Sequence, residues 1–135
     1  MPNATENEHA QYILLVEDDV FLRDIFSRKL QNSSFDLLTA DNSKDAIEIA
    51  QEKHPQVILL DLNLPGESGF EVLKAVKGDE KLKDIIVLIL TNSVLSEDII
   101  KSNELQADDF LTKANFSMDE ILERIESHLE RKVVG

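Results

Sequence analysis

Five short apolar runs, each followed by an amphipathic stretch, constrain this chain more than any other feature of its 135 residues. They lie at Tyr12 to Val16, Phe35 to Thr39, Val57 to Leu60, Ile85 to Leu90 and Asp109 to Leu111. Runs of this length suit strands, and the 3.6-residue apolar stripes between them suit helices. The third and fourth runs are nearly continuous in Val, Ile and Leu, so neither face of those strands can be left in water. Such strands belong in a parallel sheet covered by helices on both sides. One doubly wound α/β domain of five strands and five helices is expected.

Apolar spacing and capping residues locate the helices. Leu22, Ile25, Phe26 and Leu30 share the face of a first helix, and Ser43 opens a second with Ala46, Ile47 and Ala50 inside. Phe70, Leu73 and Val76 mark the third, and Ser96 is expected to cap the fourth ahead of Ile99 and Ile100. Met118, Ile121, Leu122, Ile125 and Leu129 form the stripe of the last, with Ser117 as its cap and an end near Arg131. Residues 1–10 read as a disordered polar tail, 11–132 as the domain and 133–135 as a short C-terminal tail. The expected protein is a stand-alone domain.

Charge narrows the function. Lys and Arg number 14 against 27 Asp and Glu, a net charge of −13, so direct DNA binding and anionic membrane surfaces are disfavoured. With no cysteine there is no disulfide framework, thiolate metal site or cysteine nucleophile. The longest apolar run, Ile85 to Leu90, is far short of the roughly 20 residues of a membrane span, and the N-terminus has no signal-peptide pattern. A soluble cytoplasmic protein follows. The glycines Gly66, Gly69, Gly78 and Gly135 cannot be written into a dinucleotide or Walker A loop. His9, His54 and His128 are scattered and read as solvated side chains.

In an open α/β sheet, ligands bind outside the carboxyl ends of the strands. Glu17, Asp18 and Asp19 follow the first run, Asp61 the third, and Thr91, Asn92 and Ser93 the fourth, while Lys113 closes the fifth. Crowded carboxylates repel one another unless a cation compensates, and an oxygen donor set without Cys or His selects a hard ion, Mg²⁺ best of all. Lys113 can pair with Asp61 and can also hold an added phosphoryl group as a point charge. Asp61 ends a wholly apolar strand at the mouth of the core. A carboxylate there can act as a nucleophile toward phosphorus with Thr91 donating to the transferred group, or it can simply terminate its strand.

Taken in order, Val16-Glu17-Asp18-Asp19, Asp61-Leu62-Asn63-Leu64-Pro65-Gly66 with Gly69, Leu90-Thr91 and Ala107-Asp108-Asp109-Phe110-Leu111-Thr112-Lys113 resemble the receiver domain of two-component response regulators. The resemblance runs from about Tyr12 to Lys132 and implies the flavodoxin-like, CheY-like strand order 2-1-3-4-5. It implies that Asp61 accepts a phosphoryl group from a histidine kinase or histidine phosphotransfer protein. Asp18, Asp61 and the main-chain carbonyl of Asn63 would ligate Mg²⁺, with Glu17 acting through water. Thr91 and Lys113 would contact the phosphoryl group, and Thr91 with Phe110 would form a switch read by a downstream protein target. Phe110 as a plain core aromatic is the competing reading. The resemblance implies a signalling phosphoacceptor that assists its own phosphorylation and dephosphorylation rather than a turnover enzyme, and a monomer is expected, since nothing in the sequence indicates dimerisation.

Four positions depart from the family pattern. Ala114 stands where proline is usual, Ser68 where an acid is frequent, Gln106 where glycine is frequent and Asn92 where a smaller residue is common. None removes a reacting group. The rival readings are a pseudo-receiver that binds partners without phosphorylation and a metal-dependent phosphatase. The phosphatase fits poorly, because its Asp-x-Asp would follow the first strand, where this chain has Glu17-Asp18-Asp19.

Overall fold

Strands that are apolar on both faces need cover on both faces, and the chain supplies it. The structure is a computed structural model that describes residues 11–92 and 95–134. Strands β1 (Gln11–Val16), β2 (Phe35–Ala40), β3 (Val57–Leu60), β4 (Ile86–Thr91) and β5 (Asp109–Thr112) pair in parallel, in the order β2-β1-β3-β4-β5. Helices α1 (Val20–Leu30), α2 (Ser43–Lys53), α3 (Phe70–Lys77), α4 (Ser96–Glu104) and α5 (Met118–Val134) connect and flank them. A small antiparallel hairpin, Asn63–Leu64 against Glu67–Ser68, sits between β3 and α3.

Side-chain alternation divides the core. Ile13, Leu15, Leu59, Leu88 and Leu111 pack with Phe26 and Leu30 of α1 and Ile121 and Ile125 of α5. Leu14, Val16, Ile58, Leu60 and Ile89 pack with Ala46 and Ala50 of α2 and Leu73 and Val76 of α3. The period of two along each strand sends neighbours to opposite faces, so one sheet feeds two cores. All four residues of β3 are completely buried. Each contributes up to about 1.5–3 kcal/mol relative to exposure.

The helix starts differ in detail from expectation. Asn42, not Ser43, caps α2, because its longer side chain reaches the backbone N–H of Asp45 at 2.8 Å. Ser43 is then the first helical residue, and its N–H is held by the Glu67 carboxylate of the hairpin. Ser96 is likewise inside α4 rather than its cap, since the carbonyl of Leu95 already accepts from Asp98 and Ile99. At α5 the expected cap forms: Ser117 Oγ accepts from Glu120 N at 3.1 Å and Glu120 accepts from Ser117 N at 2.8 Å. That helix runs on to Val134, past Arg131 and through most of the expected C-terminal tail.

Several strand ends shift by a residue. Ile85 lies in a turn, donating to the carbonyl of Leu82, so β4 starts at Ile86. On α1, Ile25 is 47% exposed, because the buried stripe runs Leu22, Phe26, Leu30 at intervals of four and leaves Ile25 at its border. No peptide bond among the described residues is cis, that after Lys113 included. The expected tail over residues 1–10 lies outside the described residues.

Candidate functional site

The reversal of winding between β1 and β3 opens a crevice at the carboxyl ends of the strands. Ladder hydrogen bonds continue one residue past each strand: Glu17 N donates to Ala40 O at 2.9 Å and Asp61 N to Val16 O at 3.0 Å. Backbone pairing therefore places two acids at the mouth of the core, where Glu17 is 1% exposed and Asp61 6%. A cleft of about 420 Å³ opens over them, lined also by Asp18, Asp19, Asn63, Asn92 and Lys113.

The acids after β1 divide their work. Asp19 turns away to cap α1, accepting from Phe21 N at 2.9 Å and Leu22 N at 3.4 Å. Asp18 stays exposed at the rim, and Glu17 turns inward. One oxygen each of Glu17, Asp18 and Asp61 lies within 4.8 Å of the others. This all-oxygen set, with two formal negative charges left after Lys113 is counted, fits a hard divalent cation.

Lys113 enters from the end of β5. Its Nζ is 2.6 Å from Glu17 Oε1 and 3.1 Å from Asp61 Oδ2. Burial opposes the ammonium charge, but the hydrogen bond to Glu17 and the attraction of both carboxylates outweigh it and hold the lysine above its ordinary range. For Glu17 burial dominates and keeps its carboxyl above its ordinary value despite Lys113 and the N–H of Asp19. The closer partner of Lys113 is thus Glu17, a pairing that sequence reasoning missed because nothing local links positions 17 and 113.

Asn63 is the other residue whose side chain escaped notice. Its N–H donates to Asp61 Oδ1 at 3.0 Å, a turn that aims the carboxylate, and its Nδ2 donates to Thr91 Oγ1 at 3.3 Å. Thr91 is fully buried beneath the cleft, and Asn92 is exposed at its edge. Ser93 lies outside the described residues. Phe110 is half-buried two pairs back along the β4–β5 ladder from Thr91, opposite Ile89, and packs against the core on the α2 and α3 side.

A larger cleft of about 470 Å³ lies at the opposite end of the sheet, lined by Lys77, Lys83, Arg131, Lys132, Asp84, Asp108 and His128. Lys77 is already held by Asp108 at 2.9 Å and by the carbonyls of Ile85 and Lys83, and Lys132 by the carbonyl of Asp84. Basic side chains at the C-terminal ends of α3 and α5 complement the helix dipoles there without any ligand. His128 is not a solvated side chain: its Nε2 lies 2.9 Å from Asp109 Oδ2 and it is 13% exposed. His54 Nε2 contacts the carbonyl of Lys81 at 2.7 Å, so no histidine approaches the acidic site among the described residues.

Comparison with known proteins agrees with this geometry. The family model of the response regulator receiver domain matches residues 13–126. The chain is 34% identical over 123 residues to the phosphate regulon transcriptional regulatory protein PhoB of Pseudomonas aeruginosa, covering 91% of this chain and 53% of that protein. It thus spans about half the length of the curated relatives it matches. Chemotaxis protein CheY4 of Vibrio cholerae superposes with a TM-score of 0.79 at 28% identity, covering 87% of this chain and 98% of the other. The receiver domain of sensor histidine kinase PA1611 from Pseudomonas aeruginosa, whose structure has a magnesium ion in its active-site cleft, superposes with a TM-score of 0.73 at 25% identity, covering 86% and 93%.

Proposed function

The chain belongs to the response regulator receiver family of two-component systems, and from that premise we propose that Asp61 is its phosphoacceptor. A carboxylate oxygen of Asp61 attacks the phosphorus of a phosphohistidine on a histidine kinase or phosphotransfer protein. The P–O bond forms, the P–N bond breaks, and the leaving imidazole keeps its electron pair and takes a proton from solvent. The product is an acyl phosphate on Asp61.

The observation that carries this reading is the position of Lys113, whose ammonium lies 3.1 Å from Asp61 Oδ2 inside a cleft walled by acids. It lowers the repulsion between an anionic nucleophile and an anionic phosphoryl group, and it can follow the new charge once the bond has formed. Thr91 supplies a hydroxyl from the next strand. Glu17, Asp18, Asp61 and the carbonyl of Asn63 would hold Mg²⁺, which when bound supplies charge neutralisation for the transfer. Phosphorylation adds about −1.5 to −2 charges at Asp61, drawing Thr91 and Lys113 toward the new oxygens. Space released by Thr91 lets Phe110 turn inward and repack the surface of α4, β5 and α5 for a downstream protein. With a net charge of −13, this domain works through protein contacts rather than direct DNA binding, and no helix among the described residues is long and apolar enough to cross a membrane.

The test is intact mass after incubation with acetyl phosphate, with Mg²⁺ or with EDTA, for the parent chain and for Asp61→Asn. A gain of one phosphoryl group that needs the metal and is lost in Asp61→Asn is expected. No gain from acetyl phosphate or from a phosphorylated phosphotransfer protein would overturn the reading in favour of a phosphorylation-independent binding module.

A further inference from the structure

Asn63 touches both ends of the machinery. Its backbone N–H donates to Asp61 Oδ1 at 3.0 Å while its carboxamide Nδ2 donates to Thr91 Oγ1 at 3.3 Å, across 28 positions of sequence. Asp61 and Thr91 stand at the ends of β3 and β4, neighbouring parallel strands, and Thr91 is fully buried. We propose that the Asn63 carboxamide is a latch that holds the Thr91 hydroxyl in its resting position and so sets the bias of the switch before any phosphoryl group arrives.

The length of the Asn63 contact makes the latch releasable. A neutral amide-to-hydroxyl contact of 3.3 Å lies just beyond the usual 2.7–3.2 Å range for N–H···O bonds, so it is weak. An anionic phosphoryl oxygen offers the same hydroxyl a shorter bond roughly twice as strong. While Asn63 donates to Oγ1, the threonine proton must point away from that amide. A hydroxyl can accept from an amide while it donates to an anion, so the two bonds compete through position alone: as Oγ1 is drawn toward the phosphoryl oxygens, a contact already at 3.3 Å lengthens and is given up. Because the backbone of Asn63 rests on Asp61, the latch sits on the residue that first senses a change at the carboxylate. Asn63 is in this sense a positioning residue, acting on the reaction through Thr91.

The inference rests on Thr91 being the switch hydroxyl, but its test needs no phosphorylation. Uniformly ¹⁵N,¹³C-labelled full chain in EDTA would be examined by NMR as the parent, Asn63→Leu, Thr91→Val and Thr91→Ser. Asn63→Leu keeps the branching at Cγ and removes the donor; it is expected to redistribute the Thr91 χ1 rotamer and raise the inward population of the Phe110 ring roughly two- to tenfold, as loss of one neutral hydrogen bond would. Thr91→Val removes the acceptor and should shift the Asn63 side-chain NH₂ resonances, whereas Thr91→Ser, which restores it, should return them. An unchanged Thr91 rotamer in Asn63→Leu, or Asn63 resonances indifferent to Thr91→Val, would overturn the latch. Should Asn63→Leu fail to fold, the Thr91 pair decides alone. A chain that never takes a phosphoryl group defeats the proposed function while leaving these resting-state readouts intact, so the two failures are distinguishable.

Discussion

Gly69 lies directly against the backbone of Asp61: a Cβ on Gly69 would stand 2.2 Å from the Asp61 carbonyl oxygen and 2.9 Å from the Cα of Leu62. The φ of Gly69 is −64°, which any residue adopts, so space and not backbone freedom demands glycine there. Gly69→Ala must push the start of α3 away from the strand end that carries Asp61. A loss of about 1–3 kcal/mol is expected, as for other overpacked sites, together with slower phosphorylation. Urea denaturation and the acetyl phosphate assay check both; an alanine variant as stable as the parent would contradict the close approach.

Gln106 gives the opposite expectation. It occupies the left-handed region at φ 71° in the turn before β5. A side chain there costs roughly 1–2 kcal/mol, part of which glycine's greater freedom in the unfolded chain cancels. Gln106→Gly should therefore stabilise the protein by up to about 1 kcal/mol, visible as a higher Tm in a thermal melt.

Asp109 ties β5 to α5. Its Oδ2 lies 2.6 Å from Arg124 Nη1 and 2.9 Å from His128 Nε2, and its Oδ1 accepts from Phe110 N at 2.9 Å. Burial pushes this carboxyl upward, but the hydrogen bonds from His128, Arg124 and Phe110 together win and hold it below its ordinary 3.8. A carboxyl lowered by folding contributes stability that is present above the ordinary value and is lost as pH falls through the folded one. Asp109→Asn should cost about 1.5–3 kcal/mol at neutral pH and flatten the acid limb of the stability profile. Denaturation midpoints between neutral pH and pH 2 would show it.

A cation should reverse the penalty on the acidic cleft. Burial holds Glu17 above its ordinary 4.5, so the folded chain binds that proton more tightly and loses stability as pH rises from 4.5 through the raised value. In EDTA at neutral pH, Glu17→Gln is expected to be more stable than the parent. Mg²⁺ at about one hundred times its Kd should stabilise the parent by about 2.7 kcal/mol, and clearly less in Glu17→Gln or Asp18→Asn. Thermal melts with and without Mg²⁺ test this; equal shifts in all three proteins would place the cation elsewhere.

Much of this architecture could be read along the chain, because burial on both faces of a strand and on one face of a helix leaves a local pattern. Val57-Ile58-Leu59-Leu60 demands a covered central strand, and the acid that ends it must then stand at the sheet's edge. The boundaries were less legible. Asn42 in place of Ser43 and Leu95 in place of Ser96 are choices between adjacent residues, settled by which backbone and side-chain groups meet at the helix start.

Sequence alone therefore determined the order of strands and helices, the acids, hydroxyl and lysine at the strand ends, and the excess of negative charge. These follow from periodicity and composition, which need no knowledge of what lies opposite. Only the tertiary structure decided how those groups are used: Asp19 caps a helix while Glu17 goes inward to Lys113, Asn63 reaches Thr91, Gly69 presses on Asp61, and Asp109 gathers Arg124 and His128. Partners so far apart in the chain are brought together by strand register and crossover winding, and short polar side chains carry no periodic signal of the neighbour that will satisfy them.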